Sequence, residues 1–127
     1  MPNLLLVEDM PDALSAFVMA LRIAGHTVTG VTDPRCAAQT YREGHQNGPP
    51  FDLVVLDLAM PDMNGFEVAD QIHAHAPDAR IAFLTAYDEP LSVGRAEASG
   101  AIAFWSKPIT APDLVANVAG VLAVSSG

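Results

Sequence analysis

The chain carries a single cysteine among its 127 residues, Cys36, so no disulfide can close within it. Such a chain belongs in a reducing compartment, and the expectation is a cytoplasmic protein. Basic residues are also scarce: 6 Lys and Arg stand against 15 Asp and Glu, a formal charge of −9. That balance argues against direct binding to nucleic acid or to an anionic membrane surface, both of which need a basic footprint. No apolar run approaches the ~20 residues of a membrane span. The short run Leu4 to Val7 has no basic flank and is not a signal peptide. Internal repeats, low-complexity tracts and charge blocks are missing as well. The one Pro/Gly-rich stretch, 44–50, reads as a loop and not as a domain linker.

Half of the residues are apolar, enough for a real core in one domain of this length. The expected domain is 1–124, with 125–127 a frayed tail. Apolar periodicity alternates between short continuous runs and amphipathic stripes. Strands are expected over 3–8, 27–31, 52–57, 80–85 and 101–105. Helices are expected over 11–24, 33–43, 64–75, 89–98 and from Thr110 onward. Leu14, Phe17, Val18 and Leu21 form the first stripe, and Gly25 ends that helix. Asp33-Pro34 reads as an N-cap followed by proline at the first helical position. Thr110 to Asp113 has the capping-box pattern. Pro90 and Gly94 make the 89–98 helix a weak one. Strands that read as continuous apolar runs are buried on both faces. The fold class is therefore α/β, a doubly wound (βα)5 with a central five-stranded parallel sheet.

In such sheets ligands bind beyond the carboxyl ends of the strands. Glu8 and Asp9 stand at the end of the first strand, Asp57 at the third, Thr85 at the fourth, and Lys107 just past the fifth. Each has an ordinary explanation when taken alone. Glu8 and Asp9 could cap the first helix, Thr85 is a β-branched strand residue, and Lys107 could be a solvated charge. Asp57 is harder to explain as an N-cap, because the next helix starts near Asn64. Their joint placement is what singles them out. Three carboxylates in one partly buried pocket must protonate or meet a cation. An oxygen-only donor set suits a hard ion, Mg2+ or Mn2+. Lys107 offers a point charge, Thr85 a hydroxyl donor, and Asp57 a carboxylate nucleophile for phosphoryl transfer.

The segments LLLVED, DLVVLDLAMPDMNGFE, Leu84-Thr85-Ala86 and Trp105-Ser106-Lys107-Pro108 resemble the receiver domains of two-component response regulators over nearly the whole chain. The resemblance implies a flavodoxin-like fold and a phosphoacceptor at Asp57. It implies Mg2+ held by Glu8, Asp9, Asp57 and the backbone carbonyl of Ala59. It assigns Thr85 and Phe104 to the switch pair and Lys107 to the phosphoryl-binding lysine, before a peptide that is usually cis. Ala86 matches a small residue that leaves the phosphoryl group accessible. The implied donor is a histidine kinase or a histidine phosphotransfer protein, and the implied target is a downstream protein or a fused output domain. The resemblance also leaves room for a homodimer through the face of the fourth helix, fifth strand and fifth helix. Such a domain is not a turnover enzyme, although it catalyses its own phosphorylation and dephosphorylation. Ala59 and Tyr87 depart from the usual residues at positions that set dephosphorylation rate, which leaves the lifetime of the phosphorylated state open. Ala101-Ile102-Ala103 is more apolar than usual and suits a partner contact.

Three other readings compete. An aspartyl-phosphate phosphohydrolase needs a second Asp two residues after the nucleophile, where this chain has Ala59. A degenerate receiver used as a constitutive interaction module would not need all five key residues. A flavin module needs a phosphate cradle where Glu8-Asp9 stands. His73 and His75, two apart on a helix, point too far apart to share an ion. Cys36 reads as an inert thiol, and of Phe104 and Trp105 one is expected in the core.

Overall fold

The computed structural model describes residues 2–58, 60, 63–86 and 98–125. The strands are β1 (Asn3–Val7), β2 (Thr27–Val31), β3 (Leu53–Asp57), β4 (Ile81–Ala86) and β5 (Ala103–Lys107). The helices among the described residues are α1 (Pro11–Ile23), α2 (Ala37–Asn47), α3 (Gly65–His75) and α4 (Ala111–Ser125). All strand pairs are parallel, in the order β2-β1-β3-β4-β5. That is the flavodoxin-like order, and it switches direction between β1 and β3. The expected helix over 89–98 lies outside the described residues, apart from Ala98.

Strand alternation divides the core into two layers. On one face Leu4, Leu6, Val55 and Leu84 pack with Phe17 and Leu21 of α1 and with Leu114 and Val118 of α4. On the other, Leu5, Val7, Leu56 and Phe83 pack with Tyr41 of α2 and with Phe66, Val68 and Ile72 of α3. β1, β3 and β4 lie inside the sheet, and the side chains of Leu4 to Val7, Leu53 to Asp57 and Ile81 to Thr85 are buried. Gly25 ends α1 at φ 103, a left-handed turn that glycine adopts without strain. Asn64 caps α3 by accepting from Glu67 N–H at 3.0 Å, and Thr110 caps α4 by accepting from Asp113 N–H at 3.1 Å.

Four expectations need correction. Asp33 caps a short 3₁₀ turn, Pro34–Cys36, and α2 proper begins at Ala37. α2 then runs on to Asn47, through residues expected to be loop. Its extension is held by packing: Phe51 stacks on Tyr41 with centroids 5.6 Å apart, and its ring lies over Gly44. β5 starts two residues later than expected. Gly100 turns the chain at φ 69, Ser99 Oγ accepts from Ala101 N–H, and Ile102 stays 46% exposed on the approach. Finally, neither Phe104 nor Trp105 is fully buried. β5 is an edge strand, and the two half-buried rings pack on opposite faces of the sheet.

Two glycines sit under close contacts of different kinds. A Cβ on Gly44 would lie 2.5 Å from the edge of the Phe51 ring, and one on Gly65 would lie 2.7 Å from the Asp57 carbonyl oxygen and 2.9 Å from Leu58 Cα. The ring is half-buried and can swing outward; the strand end cannot yield. Gly44→Ala also gains helix propensity of about 1 kcal/mol, so its stability should stay within about 1 kcal/mol of the parent. Gly65→Ala should lose about 1–3 kcal/mol through overpacking. Denaturant midpoints compare the two, and equal losses would contradict this account.

Candidate functional site

β1 hands the chain directly to Glu8, whose N–H continues the ladder by donating to the Val31 carbonyl at 3.0 Å. The Glu8 side chain is completely buried. Asp9 beside it is half-buried. Asp57, the last residue of β3, is 3% exposed. These neighbouring strands bring one carboxylate oxygen from each of Glu8, Asp9 and Asp57 within 4.8 Å of one another.

Lys107 ends β5, two strands away from β3, so its side chain reaches across the end of β4. Its Nζ donates to Glu8 Oε1 at 2.8 Å and to Asp57 Oδ2 at 2.9 Å. The peptide that follows, Lys107-Pro108, is cis. Thr85 lies in β4 between these groups, and its buried Oγ1 has no hydrogen-bond partner among the described residues. Glu8 Oε2 is likewise buried and unpartnered among them. Phe104 lies opposite Phe83 in the β4–β5 register and stacks on it, with centroids 5.3 Å apart and planes 24° apart. Ala59 and Tyr87 lie outside the described residues. The chain thus brings Glu8, Asp9, Asp57, Thr85 and Lys107 to one end of the sheet, with Phe104 on the adjoining edge.

The electrostatics follow from burial. Desolvation pushes the Glu8 carboxyl up to about 8, the neighbouring Asp57 carboxyl adds to the rise, and Lys107 opposes it. Burial alone would pull the Lys107 ammonium down, but its bonds to Glu8 and Asp57 outweigh that and raise it. One ammonium therefore does not fully compensate the carboxylates. A donor set made of oxygens, with one buried oxygen left unpartnered, fits a hard divalent cation held by Glu8, Asp9 and Asp57.

Gly65 takes part in building the site, although the sequence reading gave it no role. Its N–H donates to the Leu58 carbonyl at 2.8 Å, and its missing Cβ lets α3 begin against the carbonyl of Asp57. A glycine directly after the Asn64 cap, at a position where most residues start a helix well, was the available signal. His73 and His75 do diverge: His73 Nε2 lies 3.0 Å from the Ala79 carbonyl, while His75 packs edge-on against Tyr41.

Residues 4–119 match the model of the response regulator receiver domain family. The chain belongs to that family. It is 34% identical over 119 residues to the swarming motility regulation protein RssB of Serratia marcescens, covering 94% of this chain and 52% of RssB. It is 31% identical to the response regulator receiver protein CpdR of Brucella abortus, covering 96% of this chain and 98% of CpdR. The receiver domain thus spans about half of RssB and nearly all of CpdR. The response regulator TrrA of Thermotoga maritima, solved in complex with Mg(2+)-BeF, superposes with a TM-score of 0.76 at 27% identity, covering 95% of this chain and 99% of TrrA. Receiver domains are signalling domains, not conventional turnover enzymes. No helix among the described residues of this one is long and apolar enough to cross a membrane.

The raised Glu8 carboxyl has a thermodynamic consequence. The folded state binds a proton here that the unfolded chain, near the ordinary value of 4.5, releases earlier. The stabilisation is complete below about 4.5 and is lost as pH rises through about 8. With chelator present, the wild-type melting temperature should fall between pH 5 and 8.5 by about 5 °C more than that of Glu8→Gln. Thermal denaturation across that range tests it; parallel profiles for the two proteins would refute the assignment.

Proposed function

We propose that this receiver domain accepts a phosphoryl group on Asp57 from the phosphohistidine of a histidine kinase or a histidine phosphotransfer protein. The observation that carries the reading is the buried carboxylate cluster bridged by Lys107. Mg2+ (or Mn2+) would be held by Glu8, Asp9 and Asp57, with the Ala59 carbonyl as the further ligand that the resemblance implies. When bound, it would neutralise charge on the transferred phosphoryl group.

The chain's own groups do the rest. An Asp57 carboxylate oxygen attacks phosphorus, the new O–P bond forms as the N–P bond breaks, and the electron pair leaves on the donor imidazole. Lys107, already bonded to Asp57, follows the added charge onto a phosphoryl oxygen. Thr85 has a buried hydroxyl to donate to another. Its movement opens space that Phe104 can enter, and the surface around β5 and α4 changes shape. That surface then binds or releases a downstream protein, a fused output domain or a second copy of the chain. The unit is residues 1–124, working in the cytoplasm, where kinases of this type present their phosphohistidine. Position 59, an alanine, provides no general acid for turnover of small phosphate esters.

The test is labelling by a small phosphodonor, phosphoramidate, followed by mass spectrometry. With Mg2+ the wild type should gain one phosphoryl group. Asp57→Asn, or wild type with chelator, should gain none, and Lys107→Ala should be labelled at least about tenfold more slowly. Failure of the wild type to label, or equal labelling of Asp57→Asn, would overturn the reading.

A further inference from the structure

The face of the sheet that carries Thr85 also carries a row of aromatic rings, of which the proposed mechanism uses only Phe104. Phe83 stands two residues before Thr85, so both side chains point into the same layer. Phe83 is completely buried. On one side it stacks on Phe104 at 5.3 Å and 24°. On the other it meets Phe66 of α3 edge-on, at 5.1 Å and 62°. The α3 N-terminus is fixed to the end of β3: Gly65 donates to the Leu58 carbonyl, and a Cβ there would lie 2.7 Å from the Asp57 carbonyl oxygen and 3.1 Å from the Phe83 ring. Rings therefore touch in sequence from the segment that follows Asp57 to Phe104 on the edge strand.

For Phe104 to move toward Thr85 it must leave Phe83. Thr85 pairs with Ser106, not with Phe104, so the space beside it is one pleat repeat further along the strand. The stacked position and the position beside Thr85 compete for one ring.

We propose that Phe83 is a positioning residue of the switch: stacked on Phe104 and braced by Phe66, it holds Phe104 at its resting place and opposes its movement toward Thr85. The inference rests on the phosphoacceptor reading above. It adds a second route from Asp57 to Phe104, through the α3 N-terminus, beside the route through Thr85. It also gives the resting state a specific contact that activation must give up.

Fluorine NMR on protein labelled with 3-fluorophenylalanine tests this, because the chain has only five phenylalanines. Single Phe→Leu variants assign the resonances. Without any phosphoryl mimic, Phe83→Leu should move the Phe104 resonance partway toward its position in wild type saturated with Mg2+ and beryllofluoride. Phe66→Leu, which keeps the stack but removes its brace, should move it less in the same direction. Half-saturation by beryllofluoride should tighten about 2- to 10-fold in Phe83→Leu, the range that losing one aromatic pair allows when the competent state gains population. Simple loss of packing would lower the melting temperature without tightening binding. A Phe104 resonance left at its resting position in both variants, with unchanged half-saturation, overturns the proposal. If Phe83→Leu does not fold, Phe66→Leu alone decides between the two outcomes. Wild type that fails to bind beryllofluoride would instead overturn the phosphoacceptor reading, and the variants' resting spectra separate that case from this one.

Discussion

A carboxylate withdrawn from water needs a counter-charge, and this chain buries Glu8 and Asp57 side by side with Asp9 at their edge. Lys107 answers the cluster from the far side of β4, with two charge-assisted hydrogen bonds of 2.8 and 2.9 Å. Removing one partner of such a buried pair typically costs roughly 3–5 kcal/mol, so the lysine and the carboxylates hold each other in place. The fold can carry this tension because the strands beneath it are anchored independently. Leu4, Leu5, Leu6 and Val7 are each 0% exposed. At roughly 2 kcal/mol per side chain, β1 alone gains on the order of 8 kcal/mol, as an upper estimate, before it delivers Glu8 to the site. Backbone position is thus fixed by the core, and charge is arranged on top of it.

The compensation is incomplete in a useful way. One ammonium faces three carboxylates, Glu8 keeps a buried oxygen with no partner among the described residues, and its carboxyl is held far above the ordinary range. Thr85 beside them has a buried hydroxyl without a partner among the described residues. Groups in this condition stabilise whatever supplies the missing charge or acceptor. A site that was already satisfied would gain little from a cation or a phosphoryl group, and ligands move an equilibrium only by differential interaction. The strain at the strand ends is therefore consistent with a receiver whose state depends on what is bound there.

Much of this was legible in the sequence, and the misses lie where packing or turn geometry decides what apolar periodicity does not report. Continuous apolar runs announced the buried strands, and parallel topology then placed Glu8, Asp9, Asp57 and Thr85 at one end, because strand ends are a property of the fold and not of local propensity. The extent of α2 was not legible. Glycine at position 44 reads as a break, and only the packing of Phe51 over it and against Tyr41 makes the helix continue. The start of β5 was misplaced because Ala101 and Ile102 are apolar, while Gly100 and Ser99 keep them in the turn. Phe104 and Trp105 were read as one inside and one outside. An edge strand with a helix layer on each face half-buries both. For α2 and for the two rings, packing from outside the segment overrode a local preference, whereas β5 was delayed by a local turn; periodicity reports neither.

Alternation along β4 and β5 has one more consequence for how a signal leaves the site. Ala82, Leu84 and Trp105 face the layer of α1 and α4, where the packing is largely aliphatic and on whose side alternation also sets Glu8, Asp57 and Lys107. Phe83 and Phe104 face the other layer with Phe66, on the same side as Thr85. In the proposed mechanism, a hydroxyl drawn toward Asp57 would therefore disturb the layer that holds the rings first, while the aliphatic packing beneath the carboxylates stays as a support. Rings suit the disturbed layer, because a flat side chain can change partners without opening a large void, whereas an interlocked aliphatic layer yields only with loss of contact. The sheet thus separates the part of the core that holds the carboxylates in place from the part that can respond to them, and the separation follows directly from the two-residue period of a strand.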